Sequence, residues 1–586
     1  MVVLALLPTV GRLGAPPISD DAAALGYVHR SGFLGDWVAP QYGLELVRFW
    51  RPLATTTLGL QEALTGTAAA PLRALNLVAH VAAALLVGLL ARRLGAGALG
   101  ALAAGGLAAC TPEQGGTVIW LVGRVDSLSV ALVLLAAWLA LGGRRVAALA
   151  AAFLACATKE VAFVLAPWTW LFALGRGDSM RAALRPALPL LAASAAALVW
   201  RRLALGEWVG GYPGGEPGLP SGLWLAAVAL GRTQGLFLAG LLGLALAAAA
   251  FRALDARMLL AGAGCACLAA APLYGLLSDG QIEEQNLRTL LFFDLTLCLA
   301  AGASLRPARP RVLVLPLVVV AVVAGWRLRL ANEDAAEWTA AAVLAEEHVR
   351  RTRDTLADVE PSEHPVFDAT LPRTHGGAYC LAWGAADRFR APFPATPRPV
   401  WPWRTIFDRT ESKRAPAMVP RDQLLWPFGG SRSTVPPILV TIEGADGIDP
   451  VPVDERVALE PDTSPVLEIW GTFSFARRIE FLVFTEIGYE PGIWRGGDLE
   501  GESARNPRGG ADRVRRISLR RILLQAEAQT LGEALRQAAD VGATHAYLQV
   551  RAVDDARGEL NRPIAASRFI RLEWEPTLLG WFERRR

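Results

Sequence analysis

Residues 18–52 read ISDDAAALGYVHRSGFLGDWVAPQYGLELVRFWRP. An acidic pair, Asp20 and Asp21, follows a short apolar start, and Arg48, Arg51 and Pro52 close the stretch just before a long apolar run. Carboxylates and guanidiniums at a membrane face are costly unless they are paired, hydrated or used. Here they bracket one loop between two candidate spans. That loop is the expected seat of reactive chemistry; the competing reading is a solvated loop with ordinary charges.

The rest of the composition supports a membrane setting for the loop. The chain has 586 residues, too many for a single core, and two domains are expected. Hydrophobic residues make up 53% of it, above the usual share for a soluble protein. The excess lies before residue 330, in Ala, Leu and Val runs. Lys and Arg number 58 against 54 Asp and Glu, so charge gives no argument for nucleic acid, and none is expected as a partner. Cys110, Cys156, Cys265, Cys267 and Cys298 lie in apolar runs and read as small buried hydrophobes. Cys380 alone lies in the polar half, which therefore has no internal disulfide. The Cys265-x-Cys267 pair has no nearby histidines and does not read as a metal site. Met1–Leu13 lacks a basic lead and a small-residue cleavage site, so it reads as a first, short membrane helix, clipped at its start, rather than a signal peptide.

Further apolar spans are expected near 72–90, 97–110, 127–141, 146–157, 161–174, 186–205, 223–251, 258–276, 287–303 and 312–326, about 11 transmembrane helices with the first. The connections alternate. One set carries Arg92-Arg93, Arg144-Arg145, Arg176 to Arg185, Arg252 to Arg257 and Arg306 to Arg311. The other carries Asp20-Asp21, Glu113, Lys159-Glu160, Glu207 to Glu216 and Asp279 to Glu284. Arg201 and Arg202 are the main exceptions. By the positive-inside rule the acidic set, the 20–52 loop and the whole C-terminal half are extracytoplasmic. The expected location is integral to the cell inner membrane.

The outer connections also collect ionisable groups at membrane depth: Glu113, Arg124 and Asp126, Lys159 and Glu160, Glu283, Glu284 and Arg288. Each pair has a plain reading as a helix-end ion pair. Gathered on one face they read as a site. His80, on the second span, reads first as a hydrogen-bonded packing histidine. Asn76 lies one turn before it on the same face, and the two are expected to tie neighbouring helices together.

The ordered motifs Asp20-Asp21, RFWRPL (48–53), LNLVAH (75–80), TPEQ (111–114), GRVDSLS (123–129), TKEVAFVLAP (158–167) and NLRTLLFFDL (286–295) resemble the GT-C superfamily of polytopic glycosyltransferases. The likeness is greatest to the protein O-mannosyltransferases and their TPR-bearing relatives, and covers about residues 15–340. The chain departs from the family pattern where Cys110-Thr111 precedes Pro112 and where the late arginine segment lacks tyrosines and proline. No 34-residue period follows residue 330. The resemblance implies a sugar, mannose first, carried on polyprenyl phosphate and transferred to a protein or glycan hydroxyl on the extracytoplasmic face. Transfer to lipid A or a cell-wall glycan is the rival enzyme reading; a non-catalytic membrane scaffold or a transporter is the rival outside enzymes. A transporter would show inverted repeats and broken midplane helices, and neither is evident.

The residues suit that chemistry. A phosphate leaving group needs cationic stabilisation rather than a general acid. Arg51, Arg124, Lys159 and Arg288 are the candidates to bind the donor phosphate, arginine's planar fork fitting it best. The acceptor hydroxyl needs a base within hydrogen-bond reach, and Asp20 or Asp21 is expected to serve. One base without a covalent intermediate predicts inversion. Glu113, Asp126, Glu160, Asn76 and His80 are expected to support the site. No obligatory cofactor or metal is expected; Asp20-Asp21 with Glu113 is the set that would hold a divalent cation.

After Trp326 the composition changes. Residues 333–357 carry a stripe of Trp338, Ala342, Ala345, Val349, Thr352 and Leu356 on an otherwise charged helix. Residues 360–435 are rich in Pro, Arg and Trp, with Trp401, Trp403 and Trp426 reading as loop anchors or sugar-stacking surfaces. Strands are expected at 438–443, 466–475, 478–484, 546–552 and 568–574, with a hairpin at Ala476-Arg477 and a capped helix opening at Thr530-x-x-Glu533. The expected architecture is a polytopic α-helical membrane bundle (residues 1–330), a connecting helix (331–360) and a β-rich or α+β soluble domain (361–586). For that last domain, acceptor recognition, a lid and a purely structural role all stay open.

Overall fold

The computed structural model describes residues 1–43, 49–208, 219–250, 253–274, 277, 284–305 and 310–358, and beyond these a set of short stretches, most of them strands, between residues 361 and 573. Arg48, Glu283, Trp403 and the expected Thr530–Asp540 helix beyond its first residue lie outside the described residues, as does the side chain of Glu284.

The apolar first half is helical because a backbone in lipid must satisfy its own N–H and C=O groups. In order the helices are α1 (Val2–Leu6), α2 (Asp21–Ser31), α3 (Pro52–Thr65), α4 (Ala69–Arg93), α5 (Ala98–Ala109), α6 (Arg124–Leu141), α7 (Arg145–Cys156), α8 (Leu165–Gly175), α9 (Met180–Leu205), α10 (Leu219–Ala250), α11 (Ala256–Ala270), α12 (Leu291–Ala303) and α13 (Pro310–Leu356). Seven stretches are long and apolar enough to cross a membrane: Ala69–Arg93, Leu121–Leu141, Met180–Leu205, Trp224–Ala250, Ala256–Leu273, Asn286–Ala303 and Val314–Asp354. The other expected spans correspond to the shorter apolar helices Val2–Arg12, Ala98–Ala109, Arg145–Cys156 and Glu160–Gly175.

Small residues set how closely these helices pack. A Cβ on Gly100 of α5 would come within 2.6 Å of the Gly302 carbonyl oxygen of α12, and one on Gly105 within 2.9 Å of the Ala84 carbonyl of α4. With lipid as apolar as leucine, such close backbone approach is how membrane helices gain dispersion energy. The core around them is a continuous set of buried Ala, Leu and Val from α4 to α12. Cys156, Cys265 and Cys298 belong to it and Cys110 is buried as well, whereas Cys267, expected buried, is exposed on α11.

The last span and the expected connecting helix are one element. α13 runs unbroken for 47 residues, with Pro316 inside it. The apolar stripe is why: Trp338, Ala342, Ala345, Val349, Thr352 and Leu356 are all buried, so the helix keeps one apolar face past the hydrophobic run and has no reason to stop there.

The chain divides into two compact units. The first holds Met1–His348 with two returning segments, Thr374–Ala382 and Ala391–Phe393; the second holds Val349–Arg373, Trp383–Arg390 and Pro394–Arg586. In the second, an 11-stranded mixed sheet contains Pro437–Glu443, Val466–Gly471, Arg478–Ile487, His545–Val553 and Ile570–Glu573. The expected hairpin turn at Ala476-Arg477 lies outside the described residues, and the described strands on either side of it pair with others. Val466–Gly471 pairs with Pro437–Glu443 and Arg513–Ser518, while Arg478–Ile487 pairs with Glu490–Arg495 and His545–Val553. Two adjacent apolar runs need not be hydrogen-bonded neighbours when each finds better partners further along the chain.

Candidate active site

Several helices begin at one end of the bundle, and the expected charges lie at those beginnings. Pro52 opens α3 at its first position, where its missing N–H costs nothing. Arg124 opens α6, a 3-10 segment Glu160–Val164 leads into α8, and another, Glu284–Leu290, leads into α12. Helix starts carry unsatisfied N–H groups and positive dipole ends, so this end favours anions before any side chain is counted.

Asp20 and Asp21 have different surroundings. Asp21 is fully buried. Its Oδ2 accepts from the Ile18 amide at 3.1 Å and its Oδ1 from the Val122 amide at 3.1 Å, with Arg73 Nη2 at 3.7 Å. Burial pushes its carboxyl up to about 7, while the Arg73 charge and the two amides pull the other way. The crevice beside it, lined by Pro17, Asp21, Ala69, Leu72, Arg73 and Leu121, is too narrow for a water molecule. Asp21 therefore acts as a clasp between the 20–52 loop and the Leu121–Gly123 turn. Asp20 stands immediately before α2 without a side-chain capping hydrogen bond, is half-buried and accepts from Ser19 Oγ at 2.9 Å.

A second buried carboxylate shapes the same loop. Asp36 accepts from Tyr27 Oη at 2.7 Å, the Tyr42 amide at 3.0 Å and Thr55 Oγ1 at 2.6 Å. These bonds hold Tyr42 in a left-handed conformation, φ 58°, one that non-glycine residues adopt only when their surroundings require it. The Tyr42 hydroxyl lies among Asp36, Arg124, Asp20 and Arg51, and burial first, then the Asp36 charge, raises its pKa.

The cations fall into two groups. Arg124 spends its guanidinium on the protein: Nη2 donates to the Leu72 carbonyl at 2.9 Å, Nε to the Leu121 carbonyl at 3.4 Å and Nη1 to Thr57 Oγ1 at 3.4 Å. It joins α3, α4 and α6. Arg51, Lys159 and Arg288 converge instead. Arg51 Nη2 donates to Glu160 Oε2 at 2.8 Å, and Arg201 Nη1 lies 4.0 Å from Glu160 Oε1. Lys159 Nζ donates to Asp126 Oδ1, and Arg288 Nε lies 3.5 Å from Asp126 Oδ2. Lys159 feels the charges of both Arg51 and Arg288, so the two clusters are one. Four basic side chains from four segments thus surround two carboxylates among the described residues. Side-chain exposures of 15%, 24% and 14% at Arg51, Glu160 and Arg288 leave the cluster partly open. The Arg288 guanidinium also lies 4.1 Å from the centre of the Trp120 ring, a cation–π contact that fixes its plane.

Glu113 belongs elsewhere. It is buried and faces Gln234, whose Nε2 is 3.5 Å from Oε1, and it feels Asp294 and Arg327. Burial, then the Asp294 charge, pushes its carboxyl up to about 8. Asp294 and Arg327 pair through two hydrogen bonds, of 2.8 and 2.5 Å, with both side chains fully enclosed. Asn76 Nδ2 donates to the Trp120 and Leu121 carbonyls at 3.2 and 3.1 Å, and His80 bonds the Ala109 backbone. Together they tie α4 to the 109–121 connection. Among the described residues no three His, Cys, Asp or Glu side chains are grouped to hold a metal.

Sequence reasoning missed Arg201, Arg73, Asp36 and the Asp294–Arg327 pair. Arg201 was visible as the exception to the charge alternation: an arginine at the outer end of a span needs a reason to be there. Arg73 shares a helix face with Asn76 and His80, at i+3 and i+7, a spacing that joins it to the two residues already singled out. Asp294 lies inside the 286–295 motif. Asp36 gave no signal, since a lone aspartate in a polar loop is ordinary. Compared with family models, with curated proteins and with solved structures, the chain matches none.

Proposed function

We propose that the chain is a membrane glycosyltransferase. It moves a sugar from a polyprenyl-phosphate donor to a hydroxyl of a protein or glycan on the extracytoplasmic face, with inversion. The observation that carries this reading is the convergence of Arg51, Lys159, Arg201 and Arg288 around Glu160 and Asp126 at the helix-start end of an apolar bundle. A lipid-linked phosphate combines the two properties of that place: an anion for the cations and a chain for the bilayer.

As the bond from the anomeric carbon to the phosphate oxygen breaks, negative charge builds on the phosphate. Pre-set guanidiniums stabilise it without reorganising. The phosphate competes with Glu160 and Asp126 for the same donors, and the arginines meet it two oxygens at a time. Asp20, the less buried of the acidic pair, takes the proton from the attacking hydroxyl as the oxygen bonds to the anomeric carbon from the side opposite the leaving phosphate. Asp21 positions the start of α2 that presents it. Arg124 holds α3, α4 and α6 together beneath the site.

The test is to incubate the purified full chain with labelled polyprenyl-phosphate sugars and a membrane lysate, and to identify what becomes labelled. Asp20→Asn is expected to lower transfer by about 10²- to 10⁴-fold, the range for a positioned base, with an unchanged melting temperature. Full activity in that variant overturns the assignment of the base. Absence of transfer from every lipid-phosphate sugar overturns the function.

A further inference from the structure

Chain from beyond the last membrane helix returns to the site. Within the segment Thr374–Ala382, Ala378, Tyr379, Cys380 and Leu381 are buried against the helical unit to which they belong. The Gly377 amide donates to Glu337 Oε2 at 2.9 Å and Cys380 Sγ approaches the Ala341 carbonyl at 3.5 Å, so α13 anchors the segment.

Two further contacts reach the two halves of the site. On one side the Ser19 amide donates to the Cys380 carbonyl at 3.0 Å. Ser19 precedes Asp20, bonds its carboxylate through Oγ and is held at φ 49°, a left-handed backbone that persists only where neighbours enforce it. On the other side Tyr379 Oη donates to Asn286 Oδ1 at 3.2 Å, and the same oxygen accepts from Arg288 Nη1 at 3.1 Å. The Tyr379 ring also packs on Trp120, centroids 5.7 Å apart, and Trp120 stacks on Trp338 at 5.4 Å. Tyr379 therefore backs both supports of the Arg288 guanidinium, the amide oxygen at its edge and the indole under its plane. Consecutive residues of one strap thus touch the supports of Arg288 and the backbone of Ser19–Asp20.

We infer that Gly377–Leu381 is a strap that holds Asp20 and Arg288 in register, with Tyr379 as its positioning residue. The consequence for the chemistry rests on the glycosyltransferase reading: base and phosphate-binding cation would share one mechanical reference, supplied by a part of the chain outside the membrane bundle. In a transferase the distance between base and leaving-group stabiliser fixes whether the acceptor can attack in line, and small displacements there are costly.

The experiment uses the full chain and the conservative variant Tyr379→Phe, which keeps the ring and removes the hydroxyl. Hydrogen exchange followed by mass spectrometry is compared for peptides covering residues 18–24 and 284–291. Both are expected to exchange severalfold faster in Tyr379→Phe; a change confined to residues 377–381 overturns the strap. Binding of an unlabelled polyprenyl monophosphate is expected to weaken by about 2- to 10-fold, the worth of one hydrogen bond. Asn286→Ala is expected to weaken it similarly, and the double variant no further, because both act through one oxygen; additive losses overturn Tyr379's role in positioning Arg288. If the wild type binds no polyprenyl monophosphate, the glycosyltransferase reading fails, and the two exchange peptides still decide the strap.

Discussion

Two clusters of charge lie in the helical unit, and they are built on opposite plans. Deep in the bundle Asp294 and Arg327 meet fork to fork, both fully enclosed, with the Arg327 guanidinium also over the Phe237 ring at 3.9 Å. Glu113 is buried beside them, facing Gln234. The one cation is matched by its own carboxylate partner. At the helix starts, four cations share two carboxylates among the described residues and keep partial exposure. A closed, balanced pair needs only to hold its helices. A partly open group in which several cations meet the same carboxylates can also exchange partners with an incoming anion. Under the glycosyltransferase proposal that difference would separate a cluster that holds from one that binds, and it can be tested from both ends.

The largest effect is expected in the deep cluster. Arg327→Met leaves Asp294 buried without its partner, which costs about 3–5 kcal/mol, and the protein should fail to fold or melt far earlier in detergent. The double variant Arg327→Met, Asp294→Leu should recover most of that loss, since a packed apolar pair is often as stable as a buried ion pair. Failure of the double variant to recover would show that the deep pair does more than join α12 to α13.

Next in size is a pH effect that belongs to the clasp. The folded state holds the Asp21 proton up to about pH 7, against an ordinary carboxyl near 4. Below pH 4 both folded and unfolded chains carry the proton. Between about 4 and 7 only the folded chain does, so folding takes up a proton and stability falls as pH rises. Above 7 the loss is complete, as much as about 4 kcal/mol from this group. Asp21→Asn should flatten that part of the melting-temperature profile, and an unchanged slope would assign it to other groups.

The bundle was legible because lipid demands long apolar runs, and those runs are written in Ala, Leu and Val. The length of α13 was not, because hydropathy ends at Trp326 while the buried stripe through Trp338 and Val349 continues. The surroundings of the charged residues were not legible. Arg51 and Arg124 look alike in sequence; only the folded chain gives one to Glu160 and the other to the carbonyls of Leu72 and Leu121. Asp20 and Asp21 are adjacent, yet a helix start turns one side chain inward and leaves the other on the rim. Strand pairing in the C-terminal half was hidden for a different reason. A strand is a local pattern, but its neighbour is chosen across the whole chain: Val466–Gly471 pairs with Pro437–Glu443 and Arg513–Ser518.

The comparison between the clusters is sharpened most by Arg288, which carries the smallest expected free-energy change of the three. Its guanidinium is held by Asn286 and the Trp120 ring and faces Asp126. Replacing it with alanine removes one cation from a group of four, so Lys159 can keep Asp126 paired and the fold should survive with little change in melting temperature. A transition state that develops charge on a phosphate would lose a pre-aimed donor, worth about 2.7 kcal/mol or a hundredfold in rate. Arg288→Lys should recover only part of it, because an ammonium keeps the charge but gives up the planar fork and the stacking on Trp120. A structural cation would show the reverse pattern: a lower melting temperature, proportionate loss of everything else, and recovery by lysine. The ratio of rate loss to stability loss at Arg288, set against the same ratio at Arg327, is therefore the measurement that tells a cluster built to bind from a cluster built to hold.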